Sequence, residues 1–282
     1  MNSAVPAYPA NLVTPQWLYQ HLDDPQVVIV DCRFALADPE LGQRQHQQGH
    51  IPGAHYLDLN RDLSSPVQSH GGRHPLPDIA QLAEKLGAIG IESDSPQGPT
   101  FVVAYDSSRF AFASRLWWLL RYMGHNRAAV LDGGFKGWLA QGYLVTEIVP
   151  ESAAKTFVPK LQAGWLVDID HIRQHKDSSQ VLLIDSRSGA RYRGEQEPID
   201  PIAGSIPGAV NYFWQAVSDE TGFMRSPADL QAYWSELNQA KEVIVYCGSG
   251  VTACVNLLSQ TLTGKPMGKL YVGGWSDWCS YM

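Results

Sequence analysis

The sequence predicts an α/β protein built from two copies of one domain, each an open, mostly parallel sheet flanked by helices. Two observations carry that prediction. Four short motifs occur twice in the same order, and short apolar runs alternate with amphipathic stretches along both halves. The first half reads Val28-Ile29-Val30-Asp31-Cys32-Arg33 and then His50-Ile51-Pro52-Gly53-Ala54; the second reads Leu182-Leu183-Ile184-Asp185-Ser186-Arg187 and then Ser205-Ile206-Pro207-Gly208-Ala209. The offsets are 185 − 31 = 154 and 206 − 51 = 155. Further on, Val102-Val103-Ala104-Tyr105 leads to Asp106 and Ile244-Val245-Tyr246 leads to Cys247, an offset of 247 − 106 = 141. The halves close on Asp132-Gly133-Gly134-Phe135 and Val272-Gly273-Gly274-Trp275, offset by 273 − 133 = 140. Four landmarks in the same order, with offsets that match pairwise, read as a duplication.

Taken in order, residues 27–31, 101–105, 181–185 and 243–246 are short runs rich in β-branched residues, suited to strands covered on both faces. Residues 79–86, 112–122, 230–237 and 252–262 read as helices. Residues 149–164 lack an apolar period and carry Pro150 and Pro159, so they read as a linker. The expected domains are therefore 1–148 and 165–282, joined by 149–164.

Composition narrows the function. With 44% apolar and 17% charged residues, the 282-residue chain suits globular domains of ordinary size. A formal charge of −7 argues against a nucleic-acid partner, which calls for a basic face. No apolar run approaches the roughly 20 residues that span a bilayer, so no membrane partner is expected. The start, Met1 to Leu12, has neither the basic nor the apolar stretch of a signal peptide, which implies a cytoplasmic protein with reduced thiols. The four cysteines Cys32, Cys247, Cys254 and Cys279 form no CxxC pair, so neither a zinc site nor a disulfide framework is expected.

A duplicated chain lets one half serve as control for the other. Arg33 and Arg187 hold matching places and imply a shared structural task. Arg191 falls opposite Ala37 and belongs to the second half alone. The main contrast follows the third strand of each half, where Asp106-Ser107-Ser108-Arg109-Phe110-Ala111 faces Cys247-Gly248-Ser249-Gly250-Val251-Thr252-Ala253. Ligands of open α/β sheets bind beyond the carboxyl ends of the strands. A tight loop there aims backbone N–H groups inward, and the following helix adds its positive end. Such surroundings favour thiolate, the nucleophilic form of cysteine. Gly248 and Gly250 permit close approach of backbone to sulfur, and Thr252 offers a hydroxyl for the helix cap or for a bound anion. Asp106 cannot do sulfur chemistry, so the first half is expected to be non-catalytic and Asp106→Ala to leave catalysis unaffected.

At these residues the chain resembles the rhodanese superfamily, specifically the tandem-domain thiosulfate and 3-mercaptopyruvate sulfurtransferases. The resemblance covers nearly the whole chain, and the loop from Cys247 to Ala253 is similar to that of the mercaptopyruvate branch. The thiosulfate branch typically carries Arg-Lys where Gly248-Ser249 stand here. The resemblance implies that Cys247 takes sulfur from a small anionic donor as a persulfide and passes it to a thiol, cyanide or a thioredoxin-like acceptor. It implies no metal and no organic cofactor. It also implies that Arg191 holds the donor's acidic group, while Ile199, in Glu197-Pro198-Ile199-Asp200, stands where the branch usually has a second arginine. By the same resemblance Ser249 pairs with a histidine, matched by His74, and with an aspartate whose place is held by Asn60. Arg187, His74 and Asn60 are thus candidates for supporting the loop from behind.

Two other readings compete. A cysteine-dependent phosphatase of related fold needs an arginine six positions after the nucleophile, where this chain has Ala253. A catalytically silent binding module would not need an intact cysteine loop. Cys254, two helical turns beyond Cys247, reads as core, as do Cys32 and the pair Trp117-Trp118.

Overall fold

The structure, a computed structural model, describes residues 8–96 and 98–282. The chain forms two compact units. The first holds the chain up to Leu63, then Pro77–Gln162 and Thr221–Phe223; the second holds Ser64–Leu76, Ala163–Glu220 and Met224–Met282.

In the first unit the strands are β1 (Asn11–Val13), β2 (Val27–Asp31), β3 (Ala54–Tyr56), β4 (Phe101–Tyr105) and β5 (Ala128–Leu131). They form a sheet in the order β1-β5-β4-β2-β3, and every pairing is parallel. Helices α1 (Pro15–Gln20), α2 (Leu41–Gln48), α3 (Ile79–Ala88), α4 (Ala113–Tyr122) and α5 (Gly134–Ala140) connect and follow the strands. The second unit repeats the plan with β6 (Leu166–Val167), β7 (Val181–Asp185), β8 (Val210–Asn211), β9 (Glu242–Tyr246) and β10 (Lys269–Tyr271). Its order, β6-β10-β9-β7-β8, is that of the first sheet, again with only parallel pairs. Its helices are α6 (Ile169–His175), α7 (Gly189–Tyr192), α8 (Pro227–Tyr233), α9 (Ala253–Thr261) and α10 (Gly274–Cys279). Parallel strands need long crossovers, which is why each apolar run is separated from the next by a helix.

One expected helix, 230–237, is shifted and split. Ser226 accepts a hydrogen bond from the Asp229 N–H and Pro227 sits at the first helical position, so α8 starts earlier than the apolar period suggests. It ends at Tyr233 and gives way to a 3-10 turn at Ser235–Gln239. Residues 149–162 form no regular element.

The repeated motifs now have physical reasons. In each half the aspartate ending the second strand receives the arginine two residues later. Arg33 Nε and Nη2 donate to Asp31, and Arg187 Nε and Nη2 donate to Asp185. The same guanidinium also donates to a backbone carbonyl, Gly49 at 2.8 Å or Gly204 at 2.6 Å. The tyrosine ending β4 or β9 presents its hydroxyl to the backbone N–H opening the Ile-Pro-Gly-Ala turn, at 3.3 Å for Ile51 and 3.2 Å for Ile206. The shared task expected of Arg33 and Arg187 is therefore visible as a pair of buried clasps.

The cores lie where the strand pattern puts them. Ile29, Val103, Leu131 and Trp138 pack together in the first unit; Leu183, Ile244, Tyr246 and Trp275 do so in the second. Trp117 and Trp118 on α4 are fully buried. None of the described helices is long and apolar enough to cross a membrane.

His125, between α4 and β5, is buried, and its Nε2 lies 2.9 Å from the Thr100 carbonyl. Burial pushes its pKa down from 6.5 to about 4, so the folded chain holds it neutral. Between those values the unfolded chain binds a proton that the folded chain refuses, and stability falls as pH drops through that window. The full effect is on the order of 3 kcal/mol. His125→Asn should flatten the pH dependence of urea-unfolding stability between pH 6.5 and 4 relative to the parent protein; equal slopes would refute this.

Candidate active site

In each unit the fourth strand, β4 or β9, hands over to a loop that leads into a helix. In the second unit the Cys247 carbonyl accepts the Trp275 N–H at 2.9 Å, and the Gly248 carbonyl accepts the Ser276 N–H at 2.9 Å. In the first, the Asp106 carbonyl accepts the Phe135 N–H at 2.8 Å. These bonds bring the start of α10 or α5 against the first carbonyl of the loop. A Cβ on Gly274 or Gly134 would collide with that carbonyl, and both glycines have positive φ. The Gly-Gly repeat is therefore a requirement of the loop, although it begins 26 or 27 residues further along the chain (273 − 247 = 26 and 133 − 106 = 27).

The first-unit loop has its own ligand. The buried Asp106 carboxylate accepts four backbone N–H groups: Ser108 at 2.6 Å, Phe110 at 3.2 Å, and Phe112 and Ala113 at 2.9 Å each. Burial raises the Asp106 pKa, against the lowering by those four bonds. Arg109 and Phe110 take left-handed backbone conformations, φ 55° and 72°, and Gly250 at φ 70° corresponds to Arg109 by the 141-residue offset. This loop geometry thus turns several N–H groups toward one point, where they meet an acceptor buried away from water.

In the second unit the residue at that point is Cys247, 2% exposed, and Gly248, Ser249, Gly250 and Val251 are buried with it. Thr252 sits at the N-cap of α9, but its hydroxyl makes no capping bond.

A chain of buried charges flanks the loop. Arg187, clasped to Asp185, also donates to Glu197 at 3.1 Å. Glu197 receives Arg191 at 2.6 Å, and Arg191 reaches Asp200 at 3.0 Å. Asp200 in turn pairs with Arg73. Glu197 and Asp200 have side chains only 3% and 1% exposed, so their charge is sustained by these guanidinium groups rather than by water. Counting Asp185, the cluster holds three carboxylates and three guanidiniums and is internally balanced.

Arg73 reaches this cluster because residues 70–74 are fastened within the second unit. His70 Nδ1 lies 2.7 Å from the Ser280 hydroxyl, and the Gly71 N–H donates to Asp277 at 2.7 Å. Gly72 passes so close to the Gly273 carbonyl that a side chain would collide with it. His74 Nδ1 then lies 2.7 Å from Ser249 Oγ, with both residues buried.

The second unit thus brings together Cys247, the loop from Gly248 to Thr252, Arg187, Arg191 and His74. Asn60 lies in the first unit, exposed, with its N–H donating to Asp58. Sequence reasoning missed Arg73, Glu197 and Asp200 as neighbours of the loop. The two acids lay in a stretch already of interest, and Arg73 directly precedes His74. Their convergence depends on turns that have no sequence period. Cys254 is buried on α9 with its thiol directed to the Gly250 carbonyl at 3.4 Å. Burial raises the pKa of Cys32 and of Cys279.

Fold and loop together define a class: a duplicated parallel α/β sheet protein whose second copy presents a cysteine-led loop beyond its strand ends. Comparison with known proteins agrees. The family described as Rhodanese-like domain matches residues 14–141 and 168–281. A Pseudomonas aeruginosa protein named "Probable 3-mercaptopyruvate sulfurtransferase" is 43% identical over 95% of both chains. The rat thiosulfate sulfurtransferase is 31% identical over 95% of this chain and 91% of its own. The solved 3-mercaptopyruvate sulfurtransferase from Leishmania major superposes with a TM-score of 0.83 at 28% identity, covering 98% of this chain and 76% of that one. The chain belongs to the rhodanese family, as a tandem-domain sulfurtransferase.

The Asp106 loop supplies a prediction. Asp106→Ala leaves four N–H groups, three of them buried, without their acceptor, at a cost of roughly 2–5 kcal/mol. The variant expected from sequence to be silent in catalysis should therefore show a clearly lower urea midpoint, and an unchanged midpoint would contradict the hydrogen-bond assignment.

Proposed function

We propose that Cys247 carries sulfur from a small anionic donor, 3-mercaptopyruvate or thiosulfate, to a thiol-type acceptor. The observation that carries this reading is the matched pair of loops: the first encloses a carboxylate through four N–H bonds, and the second begins with a cysteine. A loop that converges several N–H donors on one point suits a thiolate and the persulfide that follows it.

In the proposed cycle the Cys247 thiolate attacks the donor's outer sulfur. With 3-mercaptopyruvate a carbon–sulfur bond breaks, and its electron pair leaves as the pyruvate enolate, which takes a proton. With thiosulfate the sulfur–sulfur bond breaks and sulfite leaves. Either way Cys247 becomes a persulfide, and an acceptor thiolate or cyanide then attacks the outer sulfur and restores the Cys247 thiolate. The Arg191 guanidinium, 16% exposed and oriented by Glu197 and Asp200, is proposed to receive the donor's acidic group. The Ser249–His74 pair lies within proton-transfer distance and is proposed to serve proton movement at the carbonyl end of 3-mercaptopyruvate. Gly248 and Ser249, in place of Arg-Lys, favour that donor over thiosulfate. The sulfur carrier must be a reduced thiol and the acceptor a thiol such as a thioredoxin-like protein, so the cytoplasm is the proposed site of action.

Cys247→Ser should abolish transfer from both donors and remove the added sulfur mass seen on the parent protein after donor treatment. Transfer surviving in that variant would overturn the proposal. Arg191→Ala should raise KM for an anionic donor on the order of tenfold, the loss of one charged hydrogen-bond partner, as measured by steady-state kinetics. Side-by-side kcat/KM for 3-mercaptopyruvate and thiosulfate with one acceptor should favour the former.

A further inference from the structure

We propose that Arg73 is a donor-binding residue, its guanidinium forming with that of Arg191 a two-armed anion clamp over the Cys247–Gly248 peptide. The inference rests on the sulfur-transfer reading above and adds a residue contributed from far outside the second half of the sequence. Arg73 and Arg191 share one buried carboxylate: Arg73 uses Nη1 for Asp200, and Arg191 uses Nη2 for the same group. Arg73 Nη2 and Arg191 Nη1 take part in none of these ion pairs. Both face the loop: a Cβ placed on Gly248 would meet Arg73 Nη2 at 2.8 Å and Arg191 Nη1 at 3.7 Å, so the glycine is what lets both guanidiniums close on the Cys247–Gly248 peptide.

Charge and exposure fit a binding role better than a purely structural one. The cluster is already balanced, three guanidiniums against three carboxylates, so an anionic donor brings in a charge that only outward-facing donors can meet. Arg187 is spent on the interior, with its side chain 1% exposed, whereas Arg73 and Arg191 keep 26% and 16%. Burial lowers the Arg73 pKa, and Cys247 is the strongest influence opposing that effect, which places Arg73 in the field of the reacting sulfur. Ile199, beside Asp200, is 43% exposed and carries no charge, so Arg73 and Arg191 are the guanidiniums that Asp200 holds beside the loop. The fastening of residues 70–74 within the unit makes that arm fixed, and preorganisation is what a clamp requires. The ligand class is a small carboxylate or sulfur oxyanion, taken in bidentate fashion by adjacent guanidinium edges.

The test compares alkylation of Cys247 by iodoacetate, which is anionic, and iodoacetamide, which is neutral and nearly the same size, in the full-length protein. Arg73→Ala, with Arg73→Gln as the longer neutral replacement, should lower the iodoacetate-to-iodoacetamide rate ratio on the order of tenfold. The same variants should raise donor KM by a similar factor with kcat nearly unchanged, and Arg73→Lys should keep most of the ratio. An unchanged ratio in the alanine and glutamine variants overturns the clamp, as does a fall in kcat at constant KM. The alkylation readout requires no sulfur transfer, so it separates failure of the clamp from failure of the proposed reaction.

Discussion

Everything near the strand ends depends on one repeated interaction, the clasp between an aspartate at the end of β2 or β7 and the arginine two residues later. Asp31 and Asp185 are wholly buried, so each carboxylate is tenable only with its guanidinium in place. In Asp31, burial works to raise the pKa, and His46 and Arg33 together outweigh it, leaving the carboxyl below its ordinary value. The same Nη2 of the arginine also donates to the carbonyl of Gly49 or Gly204, just before the Ile-Pro-Gly-Ala turn. The tyrosine at the end of β4 or β9 secures that turn from the other side. A charged pair, a phenol and a turn thereby fix the point from which the Asp106 and Cys247 loops depart. Removing one partner would strand a buried charge, which typically costs about 3–5 kcal/mol.

The second unit extends this interaction and the first does not. Arg187 continues through Glu197 to Arg191 and on to Asp200, whereas Ala37 stands opposite Arg191 and ends the series in the first half. A shared structural clasp has become one end of a relay of alternating charges that arrives at the cysteine loop. The guanidinium nearest the core, that of Arg187, holds the fold, and those further out, of Arg191 and Arg73, keep partial exposure.

Much of this was legible in the sequence, because duplication wrote its landmarks twice. The parallel strands were readable from β-branched runs, and the contrast between Asp106 and Cys247 singled out the loop. What could not be read was convergence. Arg73 precedes the linker by more than 70 residues (149 − 73 = 76), yet the turn at Gly71–Gly72 anchors it on Asp277 and Gly273 within the second unit. No periodicity marks such a crossing. The shifted start of α8 has a simpler cause, since a Ser-Pro cap overrides the apolar pattern that suggested a later beginning. The four N–H bonds to Asp106 were likewise hidden, because backbone donors leave no trace in residue identity.

The Asp106 carboxylate has a consequence for substitution at that position. In a loop folded around its own acid, placing a cysteine there by a single replacement removes the acceptor for four N–H groups and unsettles the left-handed turn at Arg109 and Phe110. A cysteine placed there would lack the acceptor that shapes the turn, so a change of one residue does not convert the first loop into the second. The two copies share a sheet plan and differ in what their loops are folded around: an acid in one, a thiol in the other.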